Sequence, residues 1–281
     1  MTVQLIGVLN LTPDSFSGDG LLNQSVPSLQ DKIEQSLNEG ADWLDFGAQS
    51  TSPNATLQSV DTELLRLQPL WELFPRQHYA ANYFSLDTFY HQVAAKAIEH
   101  GFGMINDVSG GRADPEMLSF IAAQNVKYVM MYCKNASGFA DLKDDQDNPL
   151  QKLVDFFDVQ LDKAYQVGIK TSQLILDPGM GAFVSARWED SVHILQQIPT
   201  LKKRYGLPIY IGASRKGYLA KMTRYDRDKQ RLGASLAAAL YASEMGAEFL
   251  RVHDVLPTRQ LLEVYPCIKN WREHQQSCAE I

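Results

Sequence analysis

Eight short apolar runs, each followed by a longer amphipathic stretch, set the strongest limit on how this chain folds. The runs are VQLIGVL (3–9), ADWLDFG (41–47), YFSLD (83–87), GMIND (103–107), VKYVMMY (126–132), LILD (174–177), PIYIGAS (208–214) and EFLRVHD (248–254). Helical patterns fall near 27–39, 59–73, 89–100, 114–123, 150–167, 188–199, 231–245 and 257–265. Several runs are apolar almost throughout, which suits buried parallel strands rather than half-wet antiparallel ones. Alternation over the whole length implies right-handed βαβ units. Eight of them in about 250 residues point to a (β/α)8 TIM barrel, read as one domain over 1–281. A doubly wound open sheet is the alternative.

Composition narrows the function classes. A net charge of −7 argues against a nucleic-acid surface, which needs clustered Lys and Arg. Cys133, Cys267 and Cys278 have no paired metal spacing and read as reduced thiols. The start, MTVQLIGV, lacks the basic flank of a signal peptide, and no apolar run approaches the roughly 18 residues that span a bilayer. A cytoplasmic soluble protein is expected. The polar stretch 133–151 is expected to be a solvated acidic loop.

At nearly every strand end, apolar residues give way to a polar cluster. The first ends at Asn10 and the second runs into GAQSTSP (47–53). Later ends supply Asp87, then Asn106 and Asp107, then Asp177, then Ser214, Arg215 and Lys216, then Arg251, His253 and Asp254. Each has a plain structural alternative: an acid can cap a helix, His253 can be a satisfied buried histidine, and Arg251 can pair with a carboxylate. In a barrel, however, all these ends converge on one rim, where active sites of this fold are built. Asp87, Asn106, Asp177 and Lys216 suit the hydrogen-bonding edge of a flat, nitrogen-rich heterocycle. Asn10, Arg251 and His253 suit phosphate oxygens. Mg²⁺ held partly by Asn10 and mostly by ligand phosphate fits hard oxygen ligands. There is no P-loop, no GxGxxG and no zinc spacing.

In order along the chain, GVLNLTPDSFS, SLDT, IND, LILDPG, GASRK and RVHD resemble the dihydropteroate synthase family, over residues 7–254. The resemblance implies a TIM-barrel transferase of folate biosynthesis. A dihydropterin carrying a CH₂-pyrophosphate loses pyrophosphate, and the amine of p-aminobenzoate attacks the methylene. By match, Asp87, Asn106, Asp177 and Lys216 hold the pterin; Asn10, Arg251 and His253 bind pyrophosphate with Mg²⁺. The loop carrying Thr12 and Asp14 is a lid, and Thr51, Ser52, Ser214, Arg215 and Gly217 lie on the loop and acceptor side. Pairing into a homodimer through the last helices is also implied.

The departures cluster on the p-aminobenzoate side. Where the family usually reads Glu-Ser-Thr-Arg-Pro-Gly, this chain has Gln49, Ser52 and Asn54 in place of the acid, the Arg and the Gly. By register Ala182 replaces an aromatic wall and Val184 a Lys, although a one-residue shift lets Phe183 compensate. Tyr132 stands for a His, and Gly217 for a Ser that helps hold the aminobenzoate carboxylate. Backbone N–H groups around Gly217 and the neighbouring Arg215 are then the remaining carboxylate donors. The alternatives are a paralogue with a different acceptor, or a non-synthase pterin-binding module. The retained Asn10, Arg251 and His253 speak against the module.

Overall fold

The structure, a computed structural model, describes residues 3–12, 26–52, 55–74, 84–142, 148–223 and 231–271. Its strands are β1 (Gln4–Asn10), β2 (Trp43–Gly47), β3 (Phe84–Asp87), β4 (Met104–Asp107), β5 (Lys127–Met131), β6 (Leu174–Asp177), β7 (Tyr210–Ile211) and β8 (Phe249–Val252). All neighbours are parallel, in the order β6-β5-β4-β3-β2-β1-β8-β7. The two ends meet through a parallel bridge from Leu176 to Ile209, beside a 2.9 Å bond from Leu176 N to Pro208 O. The sheet is therefore a barrel with a thin seam, not an open doubly wound sheet.

The helices are α1 (Val26–Asn38), α2 (Val60–Arg66), α3 (Gln68–Leu73), α4 (His91–Glu99), α5 (Met117–Ala122), α6 (Pro149–Gln166), α7 (Trp188–Gln196), α8 (Ile198–Tyr205), α9 (Gly217–Lys221), α10 (Leu232–Glu244) and α11 (Val255–Lys269). Local chemistry sets several boundaries. Asn148 caps α6 by accepting the N–H groups of Leu150 and Gln151, with Pro149 opening the helix. Gly206 ends α8 in the left-handed region at φ 65°. The helix expected over 59–73 is two, because Pro69 brings no N–H to bond Leu65 O. Pro199 likewise separates α7 from α8, and sequence reading missed α8. The seventh strand is far shorter than 208–214, since GAS at its end belongs to the rim loop.

Side chains alternate inside and outside along each strand. Asn10, Gly47, Asp87 and Asn106 share one register line across β1 to β4. Val8, Asp45, Ser85 and Met104 form the line beneath. From Met104 of this line downward, Ile6, Met104, Val129, Ile175 and Tyr210 close the barrel with an apolar plug.

Candidate active site

The upper line lies at the C-terminal mouth, and glycines keep it open. A Cβ on Gly47 would sit 3.6 Å from Asn10 Oδ1 and 3.4 Å from Asp87 Cβ; one on Gly212 would sit 4.0 Å from Asp177 Oδ2. Branched side chains at these inward positions would fill the space between the polar groups.

Asp87, Asn106, Asp177 and Lys216 lie together there. Asn106 Nδ2 donates to Asp45 Oδ2 at 3.1 Å, while its Oδ1 is buried without a partner among the described residues. Asp177 Oδ1 accepts the Gly179 N–H at 2.8 Å. Burial raises Asp87 to about 7, with Arg251 opposing, and raises Asp177 to about 6. Burial lowers Lys216 to about 8, against the pull of Asp177. Two acids and a base titrating near neutrality in one cleft mark a functional site. Asp107, by contrast, is structural: it accepts from Ser109 N and Oγ, Gly111 N and Tyr128 OH.

The anion side is partly committed within the protein. Arg251 gives Nε to Asp45 Oδ2 at 2.7 Å and Nη2 to Asp87 Oδ2 at 3.1 Å, leaving Nη1 without a partner among the described residues. The structural pairing open to Arg251 from sequence is thus present alongside its place in the mouth. Ser214 Oγ accepts the His253 N–H at 3.2 Å and lies 3.1 Å from His253 Nδ1. A hydroxyl that accepts there and donates to Nδ1 leaves Nε2–H as the outward donor. Burial, with Arg251 nearby, pushes His253 down to about 3, so the ring is neutral. Arg215 is engaged within the protein: its fork closes on Asp254, Nε–Oδ2 3.1 Å and Nη2–Oδ1 2.7 Å, while its charge adds to that of Arg251 in keeping His253 neutral.

The acceptor-side loops knit together. Thr51 O accepts the Ala140 N–H at 3.0 Å, and Ser52 Oγ pairs with Ser50 Oγ at 3.1 Å. Gln49 orders this loop from inside, accepting Gln58 N at 2.9 Å and donating to Ser50 O at 2.8 Å. Lys134 N bonds Phe183 O and Asp141 N bonds Ala182 O, so 133–142 docks on the 3₁₀ turn Gly181–Phe183. The solvated loop expected at 133–151 is therefore, over 133–142, part of the rim: Cys133 and Ala140 are buried, and Phe139 packs beside Phe89, Val108 and Met131. Phe183 packs against the same cluster, and the Lys216 ammonium stands over its ring. The one-residue shift thus puts an aromatic ring on the site. Val184 is buried and brings no charge. Tyr132 is buried against Phe156. Gly217 opens α9 at the surface, with nothing within 4 Å of an added Cβ. Thr12 is buried. Asp14 and Asn54 lie outside the described residues.

Two buried acids were missed by sequence reasoning. Asp45 is fully buried beneath the mouth, and its signal was a carboxylate inside an otherwise apolar strand run. Glu63 of α2 is also fully buried, with Thr88 beside its carboxyl and no basic partner in hydrogen-bond reach among the described residues.

Comparison with known proteins agrees with this geometry. The family model for pterin binding enzymes matches residues 6–253. The chain belongs to the dihydropteroate synthase family. It is 32% identical over 262 residues to dihydropteroate synthase type-3 of Escherichia coli, covering 93% of this chain and 97% of that protein. It is 34% identical over 268 residues to the dihydropteroate synthase of Synechocystis, covering 95% and 90%. Its fold matches the Xanthomonas albilineans dihydropteroate synthase solved with 4-aminobenzoic acid, with a TM-score of 0.83 and 33% identity, covering 95% of this chain and 93% of that one. The family is one of transferases, and the chain is an enzyme of that class. No helix among the described residues is long and apolar enough to cross a membrane.

Proposed function

We propose that this synthase-family enzyme joins 6-hydroxymethyl-7,8-dihydropterin pyrophosphate to p-aminobenzoate, giving 7,8-dihydropteroate and pyrophosphate. The observation that carries the reading is the gathering of Asp87, Asn106, Asp177, Lys216 and Arg251 around a mouth that Gly47 and Gly212 keep open. Asn106 Oδ1 and the carboxylates accept pterin N–H groups, and the Lys216 ammonium donates to the ring's acceptor edge. Arg251 Nη1 and the outward N–H of neutral His253 face the pyrophosphate.

The reaction breaks the C–O bond between the methylene and pyrophosphate. The bonding pair leaves with the anion, and the dihydropterin delocalises the cation left behind. The p-aminobenzoate nitrogen then supplies the new C–N pair and loses a proton to solvent or to the released anion. The protein mainly stabilises the leaving charge and keeps the partners aligned. The loop after Thr12, read from the sequence as a lid, lies outside the described residues.

Mg²⁺ is part of this proposal. Among the described residues no group of three His, Cys, Asp or Glu side chains forms a cage. Asn10 brings one neutral oxygen to the mouth, which fits an ion held chiefly by pyrophosphate and water. Bound there, it would neutralise charge on the leaving group. On the acceptor side, Phe183 offers a ring face and the open start of α9 offers N–H groups for a carboxylate.

The deciding experiment measures pyrophosphate release from the dihydropterin substrate, with and without p-aminobenzoate and Mg²⁺, and weighs the product. Release that depends on p-aminobenzoate and yields the dihydropteroate mass supports the synthase. Release that ignores p-aminobenzoate sinks it in favour of another acceptor.

We place the enzyme in the cytoplasm, supported by the free thiols of Cys133 and Cys267. We also propose a homodimer through α10 and α11, where Tyr241, Leu256, Val264 and Ile268 are exposed. Monomer-sized elution at micromolar concentration would rule the dimer out.

A further inference from the structure

We propose that Asp45 is the positioning residue for both halves of the site: it holds Arg251 toward the pyrophosphate and fixes which atom of Asn106 meets the pterin. The proposal rests on the functional reading above. One atom does both tasks: Asp45 Oδ2 accepts Arg251 Nε at 2.7 Å and Asn106 Nδ2 at 3.1 Å. It thereby ties β8 to β4 across the barrel, from a fully buried place one layer below the mouth.

The consequence for Asn106 follows from acceptor chemistry. A carboxylate oxygen in this pairing offers only lone pairs, so the amide must turn its NH₂ downward. Oδ1 is then the atom left over, buried and without a partner. Asn106 therefore presents an acceptor to the ligand rather than a donor. An amide in place of Asp45 can also donate, so both orientations of Asn106 become available.

The consequence for Arg251 is a division of labour. Its guanidinium is shared between Asp45 below and Asp87 at the mouth. Without Asp45, Asp87 is the sole carboxylate paired with it, and is drawn away from the pterin. Among the described residues no neighbour replaces Asp45: Val8 and Met104 in its layer are apolar, while Ser85 Oγ and Tyr210 OH are buried without partners.

The test uses the isosteric substitution Asp45→Asn in the full chain, checked for fold by circular dichroism. Titrations use 6-hydroxymethyl-7,8-dihydropterin and, separately, inorganic pyrophosphate with Mg²⁺. Each affinity is expected to fall roughly tenfold or more. The losses are expected not to add: D45N costs little further pterin affinity in N106A, and little further pyrophosphate affinity in R251K. Folded D45N with wild-type affinities, or losses that add in full on both backgrounds, overturns the proposal. A ligand-free readout covers a variant that fails to fold. The Arg251 Nε–H resonance of the wild type, assigned by its disappearance in R251K, is expected to exchange as slowly as core amides; rapid exchange overturns the proposal. Wild-type protein that binds neither ligand overturns the functional reading instead, and the resonance still reports separately on whether Asp45 holds Arg251.

Discussion

The Lys216 ammonium lies 4.4 Å from the centre of the Phe183 ring. Lys216 is proposed for the pterin side, and Phe183 stands one residue past the position where the family's aromatic wall is expected. If the proposed roles hold, the contact joins the pterin and acceptor sides, with the acceptor wall moved along the chain rather than lost. Phe183→Ala should raise KM for p-aminobenzoate by about threefold to thirtyfold, the range of a lost ring contact, with a smaller change in kcat. Steady-state kinetics with p-aminobenzoate varied checks this. An unchanged KM would remove Phe183 from the acceptor pocket.

Gly217 offers the converse experiment. Its added Cβ meets nothing within 4 Å, and its backbone is outside the left-handed region, so Gly217→Ser fits without strain. The new hydroxyl stands where the family carries one toward the acceptor carboxylate. KM for p-aminobenzoate should fall by roughly two- to tenfold, the yield of one net hydrogen bond, with the melting temperature unchanged or slightly higher. A raised KM would show that the acceptor approaches this turn differently.

The pH profile of kcat/KM for the pterin substrate should be a bell. Asp177 and Asp87, pushed up to about 6 and about 7, must lose protons to accept pterin N–H groups, so the acid limb rises through that range. Lys216, pushed down to about 8, must keep its proton, so the alkaline limb falls there. The limbs belong to the interacting set rather than to single residues. Lys216→Arg should abolish the alkaline limb, because a guanidinium stays charged throughout. An alkaline limb that survives in K216R belongs to another group.

Glu63 makes a prediction about stability. Burial pushes its carboxyl up to about 8, so the folded chain keeps a proton that the unfolded chain releases near 4.5. Between those values the folded state binds more of this proton, so the stability that Glu63 contributes falls as pH rises from about 4.5 to about 8 and changes little beyond. Glu63→Gln removes this slope and should stabilise the protein by on the order of a few kcal/mol above pH 8. Melting curves across this range check it; parallel pH dependence in the two proteins would show that Glu63 does not titrate this way.

The barrel was legible because buried parallel strands are nearly continuous apolar runs, and LILD or KYVMM can hardly serve elsewhere. The mouth was legible for a related reason: Asp87, Asn106 and Asp177 each stand where such a run stops. Asp45 escaped because its run continues past it through Phe46, and only the two-residue alternation from Trp43 to Gly47 points it inward. The pairing of Arg215 with Asp254 was not legible, because adjacency in SRK says nothing of side-chain direction. The dock of 133–142 onto the rim rests on backbone bonds to Ala182 and Phe183, which composition does not encode.

The seam between β6 and β7 has a consequence of its own. Asp177 stands on one bank and Lys216 beyond the other, while the staves themselves touch through little more than Leu176 and Ile209. A flat ligand gripped by both residues would become a missing rung of the barrel wall, and the vessel would then be fastened by its own contents. Tight binders at this mouth would accordingly act as structural clasps as well as occupants.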